Sequence, residues 1–155
     1  MKISLNDWLR LGTIRPLKWG ASLSDFFNLW PTEKAGFEQL IRLGYPFLDL
    51  DNIEFYFEDN GFQHLNEVVI KVWCLSQEEA SPYFDYGWLR ADLSFWQVQA
   101  ALCQLDIAHA VERGPAYNTP GIRTSSGCLF AFYVDDEQKD EDAILAKIYL
   151  AQAKQ

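Results

Sequence analysis

A chain of 155 residues, 49% of them hydrophobic, can close one core without disulfides or metals. Its formal charge of −9 repels phosphate backbones, which argues against direct binding of DNA or RNA, and it speeds encounter with a basic protein. Three cysteines, Cys74, Cys103 and Cys128, without any Cys-x-x-Cys spacing exclude a disulfide framework or zinc ribbon and are expected to be reduced, buried thiols.

The N-terminus reaches polar residues by Ser4, too soon for a secretory signal, and no apolar run approaches the ~20 residues of a membrane span. A cytoplasmic, non-membrane protein with a single domain over residues 1–155 is expected.

In chain order, Ser4-x-x-Asp7 can cap a short helix ending near Gly12. Ser22-x-x-Asp25 has the form of a capping box, and Leu23, Phe26, Phe27 and Trp30 recur on one helical face until Pro31 stops it. A second helix is predicted from Glu33 to Leu43, with Phe37, Leu40 and Ile41 inward and Gly44 as its stop. Residues Ile53 to Glu58 alternate as a strand, Asp59-Asn60-Gly61 signals a hairpin turn, and the next strand runs from Val68 to Cys74.

Beyond Ser94-x-x-Gln97, a second capping box, Val98, Ala101, Leu102 and Leu105 mark another helix. Residues 114–127 are rich in turn formers and read as a loop. Strands follow from Cys128 to Val134 and from Ala143 to Ala151, joined by the acidic run Asp135 to Asp142.

The two stretches share one pattern. Phe55 to Asp59 aligns with Phe132 to Asp136, and Ile70 to Cys74 with Ala146 to Leu150; Trp8-Leu9-Arg10 echoes Trp88-Leu89-Arg90. Strand parity is preserved, with Phe55, Phe57, Ile70, Val72 and Cys74 inward in one copy and Phe132, Val134, Ala146, Ile148 and Leu150 in the other. The expected fold is α+β: two tandem helix-plus-antiparallel-strand repeats, about 1–80 and 85–155, forming one sheet packed on helices.

That parity points Glu54, Tyr56, Glu58, Lys71, Trp73, Tyr133, Lys147 and Tyr149 outward, large rings among charges. Such a composition suits a protein-binding surface, and Asp135 and Asp136 in the acidic run could hold a basic patch on the partner.

Chemistry finds little footing. His64 and His109 fall in or near predicted loops and form no metal-binding spacing, and there is no nucleophile elbow or phosphate-binding glycine loop. The cysteines sit in inward strand positions or an apolar helix. Neither enzyme activity nor a cofactor or metal is expected, although a small enzyme with an unrecognised carboxylate site is a third reading.

The segment Gly12 to Ser22, leading into Leu23–Pro31 and later Leu50–Phe57, resembles small bacterial immunity proteins encoded beside polymorphic or contact-dependent toxins. Leu93–Leu105 followed by Ser126–Phe132 resembles the same group, and the tandem layout is similar to the β-lactamase inhibitory protein architecture. The resemblance implies a monomeric inhibitor that binds a cognate toxin, and the chain's acidity suits a basic, nuclease-like one. The alternative is an acidic cytoplasmic secretion chaperone that binds an effector protein as a dimer.

Overall fold

A computed structural model describes residues 2–75, 79–113, 119–134 and 139–152. Its first helix, α1 (Leu5–Leu11), begins where the Ser4 hydroxyl accepts the Asp7 N–H, and ends at Gly12 in the left-handed region (φ 69°). A Cβ at Gly12 would lie 2.4 Å from the Ser126 carbonyl oxygen. The turn containing Ser126 is bonded to the same helix end, since the Ser126 hydroxyl donates to the Leu9 carbonyl at 2.7 Å.

Helix α2 (Leu23–Leu29) starts at Ser22, whose backbone N–H donates to the Asp25 carboxylate at 2.8 Å. Pro31 closes it and opens a 3-10 turn, Pro31–Glu33, which feeds α3 (Lys34–Arg42). Phe26 is fully buried and meets the rings of Trp30, Phe37, Phe55 and Phe57 at centroid distances of 5.7, 6.0, 5.0 and 5.5 Å. One side chain thus ties α2 to α3 and to the sheet.

The short strand β1 (Ile3–Ser4) precedes α1. After α3 come β2 (Phe47–Leu50), β3 (Ile53–Phe57), β4 (Leu65–Lys71) and β5 (Phe84–Asp85). Helix α4 (Phe95–Gln104) follows, and then β6 (His109–Arg113), β7 (Pro120–Thr124), β8 (Leu129–Tyr133) and β9 (Ile144–Ala151). Both bonds of the second capping box form: Ser94 N–H to Gln97 Oε1 at 2.9 Å and Gln97 N–H to Ser94 Oγ at 3.3 Å.

Seven strands make one antiparallel sheet in the order β2-β3-β4-β9-β8-β7-β6, and β1 pairs with β5 in a separate two-stranded parallel sheet. The buried face carries Leu48, Ile53, Phe55, Val68, Ile70, Phe130, Ile148 and Leu150 into a single core with residues of all four helices. The α+β class and the sheet-on-helix layering follow the sequence reading. Among the described residues no helix is long and apolar enough to cross a membrane.

Several expectations need correction. The strand read from Val68 to Cys74 begins at Leu65 and stops at Lys71; Val72–Cys74 is a 3-10 turn, so Cys74 is only half-buried. Ala146 is not an inward strand residue. Lys147 pairs with Ala131 and Leu145 with Phe132, leaving Ala146 as the extra residue of a bulge and Leu145 fully buried. Asn66 is the matching extra residue in β4, between the pairs Tyr56–Glu67 and Phe57–Leu65.

Burial therefore follows Leu65, Val68 and Ile70 in β4 and Leu145, Ile148 and Leu150 in β9. That correspondence differs from the one that set Ile70 against Ala146. The Trp8 and Trp88 echo joins a helix to a turn. The halves also differ in content, with α1 to α3 in the first and α4 in the second.

Residues 119–124, read as loop, hold β7, whose Pro120 is its first residue, where a missing N–H is tolerated. His109 lies in β6. Among the cysteines Cys128 is buried, while Cys103 is exposed on α4.

Phe26→Ala should cost about 3–5 kcal/mol of unfolding free energy in a urea titration, and Phe26→Leu distinctly less. Gly12→Ala should cost about 1–2 kcal/mol from its left-handed backbone alone, plus the collision with the Ser126 carbonyl. A Gly12→Ala protein as stable as the parent would contradict that close approach.

Candidate functional site

Residues directly opposite one another on antiparallel strands share a sheet face. Register therefore assigns the outer face without further assumption. Asp49, Glu54, Val69, Tyr149, Leu129 and Arg123 form one row across β2, β3, β4, β9, β8 and β7. Lys71, Lys147 and Ala131 form a second, and Phe47, Tyr56, Glu67 and Ala151 a third.

Five of the expected residues, Glu54, Tyr56, Lys71, Lys147 and Tyr149, are thus brought together on β3, β4 and β9. Tyr133 ends β8 on the same face, opposite Ile144, and is 51% exposed. Trp73 projects from the 3-10 turn that continues β4 and is 57% exposed.

Strands β4 and β8 both run antiparallel to β9, hence in one direction. Trp73 lies two residues beyond Lys71, in the turn and not in the strand, and Tyr133 two beyond Ala131, so both lie at the same end of the sheet. Glu58 is exposed past the end of β3, where its N–H donates to the His64 carbonyl at 2.9 Å. Asp135 and Asp136 lie outside the described residues.

The charges at the β2–β4 end are largely spent on each other. Lys71 Nζ sits 2.8 Å from Asp49 and 4.0 Å from Glu54. Burial alone would lower the pKa of the Lys71 ammonium, but the hydrogen bond and charge of Asp49, with the charge of Glu54, outweigh it and hold it above its ordinary value. The Tyr56 hydroxyl donates to the other Glu54 oxygen at 3.2 Å.

Glu54 is only 8% exposed, so its carboxylate works inside this network and offers little to a visitor. Burial first, then the charge and hydrogen bond of Glu54, pushes the Tyr56 phenol up to about 12. Burial also raises the Glu67 carboxyl. The chain's acidity is therefore not concentrated here: Asp49, Glu54 and Glu67 face Lys71 and Lys147.

Sequence reasoning missed two rings. Tyr45 stacks edge-on to Phe47 at 5.6 Å, and Phe47 meets Tyr56 at 5.2 Å, a file of aromatics along the β2 edge. The signal was present in the alternation Phe47-Leu48-Asp49-Leu50 before Asp51-Asn52, both at positive φ as a tight hairpin turn requires.

Elsewhere the chemistry is sparse. The His109 Nδ1 lies 2.9 Å from the Ile107 carbonyl, and burial raises the Cys128 and Cys74 thiols, which disfavours their nucleophilic form. Among the described residues no group of three His, Cys, Asp or Glu is placed to hold a metal ion.

No protein-family model matches the chain, and comparison with curated proteins and with solved structures gives no match. The face itself therefore carries the functional argument.

The raised Tyr56 pKa has a sign. Folding favours the protonated phenol, so its stabilising contribution is complete below pH 10 and is lost as pH rises towards 12. Urea midpoints of the parent should fall across that window more steeply than those of Tyr56→Phe. Parallel slopes would show that folding does not hold the proton on Tyr56.

Proposed function

We propose that this chain is an immunity-type inhibitor, a binding protein that neutralises a cognate bacterial toxin through the outer sheet face. One observation carries the reading: Trp73 and Tyr133, 57% and 51% exposed, lie at the same end of a sheet whose Lys71, Asp49 and Glu54 are engaged with one another. Exposed rings on a rigid scaffold lose little entropy on docking and bring much contact area. They are the anchors; Lys147 and Tyr149 lie on β9, the strand between theirs, farther from that end of the sheet.

The net charge of −9 acts at longer range and suits a basic partner, of which a nuclease-like toxin domain is the natural case. Binding alone accomplishes the function, with no group on the protein required to react. In this reading the two halves, about 1–80 and 85–155, act as tandem units that meet where β4 pairs with β9 and contribute one anchor each. The resemblance of Gly12–Pro31 and Leu93–Leu105 to immunity proteins supports the same conclusion.

The test begins with the neighbouring gene, which should encode a large protein ending in a toxin domain, and continues with co-expression of that domain and this chain. The parent should restore growth and co-purify with that domain. Trp73→Ala and Tyr133→Ala should each cost about 2 kcal/mol of affinity, roughly 30-fold, with unchanged circular dichroism. If the folded double variant protects as well as the parent, the face is not the contact surface. An association rate indifferent to salt would remove the electrostatic part.

A further inference from the structure

A second surface, remote from the proposed anchors in sequence, has the opposite electrical character. Residues 2–18 carry Lys2, Arg10, Arg15 and Lys18 against Asp7 alone, in a chain whose net charge is −9. Of these, Lys2, Arg15 and Lys18, together with Asp7, line a groove of about 820 Å³ between β1, α1 and the segment 13–18. It adjoins a second hollow of about 560 Å³ on the far side of Pro16, Leu17 and Lys18.

The groove has an apolar floor and a rim on which three cations outnumber one carboxylate, Asp7. Buried Trp8 and Leu17 form the floor, and Leu11, 59% exposed, adds a hydrophobic side chain with no cover. Lys2, Arg15 and Lys18 are all exposed on the rim, and none makes an ion pair with any described residue. The shape is pre-formed. Trp8 Nε1 donates to the Arg15 carbonyl at 2.8 Å and the Leu17 N–H to the Ile14 carbonyl at 2.9 Å, fixing the segment that bears Arg15 and Lys18. Finally, among the described residues β1 pairs with β5 alone, and its Ile3 and Ser4 line the groove.

We propose that this groove binds a short acidic peptide segment in extended form, with an apolar side chain seated near Leu11 and carboxylates meeting Lys2, Arg15 and Lys18. Charge complementarity names the occupant. An anionic membrane would be held by only a few cations while the remainder of the acidic chain was repelled. A simple anion would have no use for the apolar floor. A peptide that carries both features matches both, and the inference stands whether or not the outer sheet face binds a toxin.

The measurement is fluorescence anisotropy of the full chain with a labelled, end-blocked hexapeptide, Glu-Asp-Leu-Phe-Asp-Glu. Its Gln and Asn counterpart and phosphatidylglycerol vesicles serve as comparisons. The acidic peptide should bind saturably, and the amide counterpart should bind at least about tenfold more weakly. Arg15→Glu combined with Lys18→Glu should lower affinity by at least about tenfold without moving the thermal midpoint, because both side chains are exposed and unpaired. Leu11→Ser should weaken binding of the same peptide, and Trp73→Ala should leave it unchanged.

Equal binding of the acidic and amide peptides would overturn the proposal. So would an unaltered affinity in the charge-reversed double variant, or binding of the vesicles with none of the peptide.

Discussion

The pairing of β4 with β9 is the constraint on which the rest of this molecule depends. It joins segments about 80 residues apart through the partners Val68–Leu150, Val69–Tyr149, Ile70–Ile148 and Lys71–Lys147. Side chains alternate along a strand, so the register that buries Val68, Ile70, Ile148 and Leu150 is the same one that turns Tyr149, Lys71 and Lys147 outward. A slip of one residue would exchange the two sets and place charged groups in the core. Core packing therefore fixes the surface composition. The outer face is a by-product of burial beneath it.

Charge is sorted locally in a way that the net value of −9 conceals. On β2 to β4, Lys71 sits among Asp49, Glu54 and the Tyr56 hydroxyl. On β6 and β7, Arg123 bonds both oxygens of Glu112 at 3.0 and 2.9 Å. Exposed pairs of the second kind contribute about 0–1 kcal/mol, so their role is to hold geometry more than to add stability. The partly buried group around Lys71 is different, because desolvation makes each unpaired member costly. Cations at the N-terminal groove take no part in either arrangement, which gives one small acidic protein two surfaces of unlike electrical character.

Much of the local structure was legible in the sequence because the signals were chemical and short. Ser4, Ser22 and Ser94 mark the helix starts through hydrogen bonds that only a few residue types can make, and Pro31 and Gly44 mark ends through backbone geometry. The hairpins β3–β4 and β8–β9 follow from alternation. Edge strands were hidden. β2 lies between Pro46 and Asp51-Asn52, and β7 begins at Pro120-Gly121, so turn chemistry masked four- and five-residue strands. Of the outer face, the members on central strands were readable from parity alone. Tyr45 and Phe47 were missed, since the alternation that marks their strand lasts only four residues between Pro46 and the Asp51-Asn52 turn. So was the internal use of Glu54, which is set by the distant Lys71.

The two bulges give the sheet a freedom that regular alternation lacks. Asn66 and Ala146 each add a single unpaired residue, at the Leu65 end of β4 and the Ile144 end of β9. Each shifts the phase of its strand, so that Leu65 and Val68, and likewise Leu145 and Ile148, point the same way although three positions apart. Each bulge therefore re-aims the outward residues at one end of its strand relative to the rest of the face, so that the two ends of the sheet present their side chains in different phase.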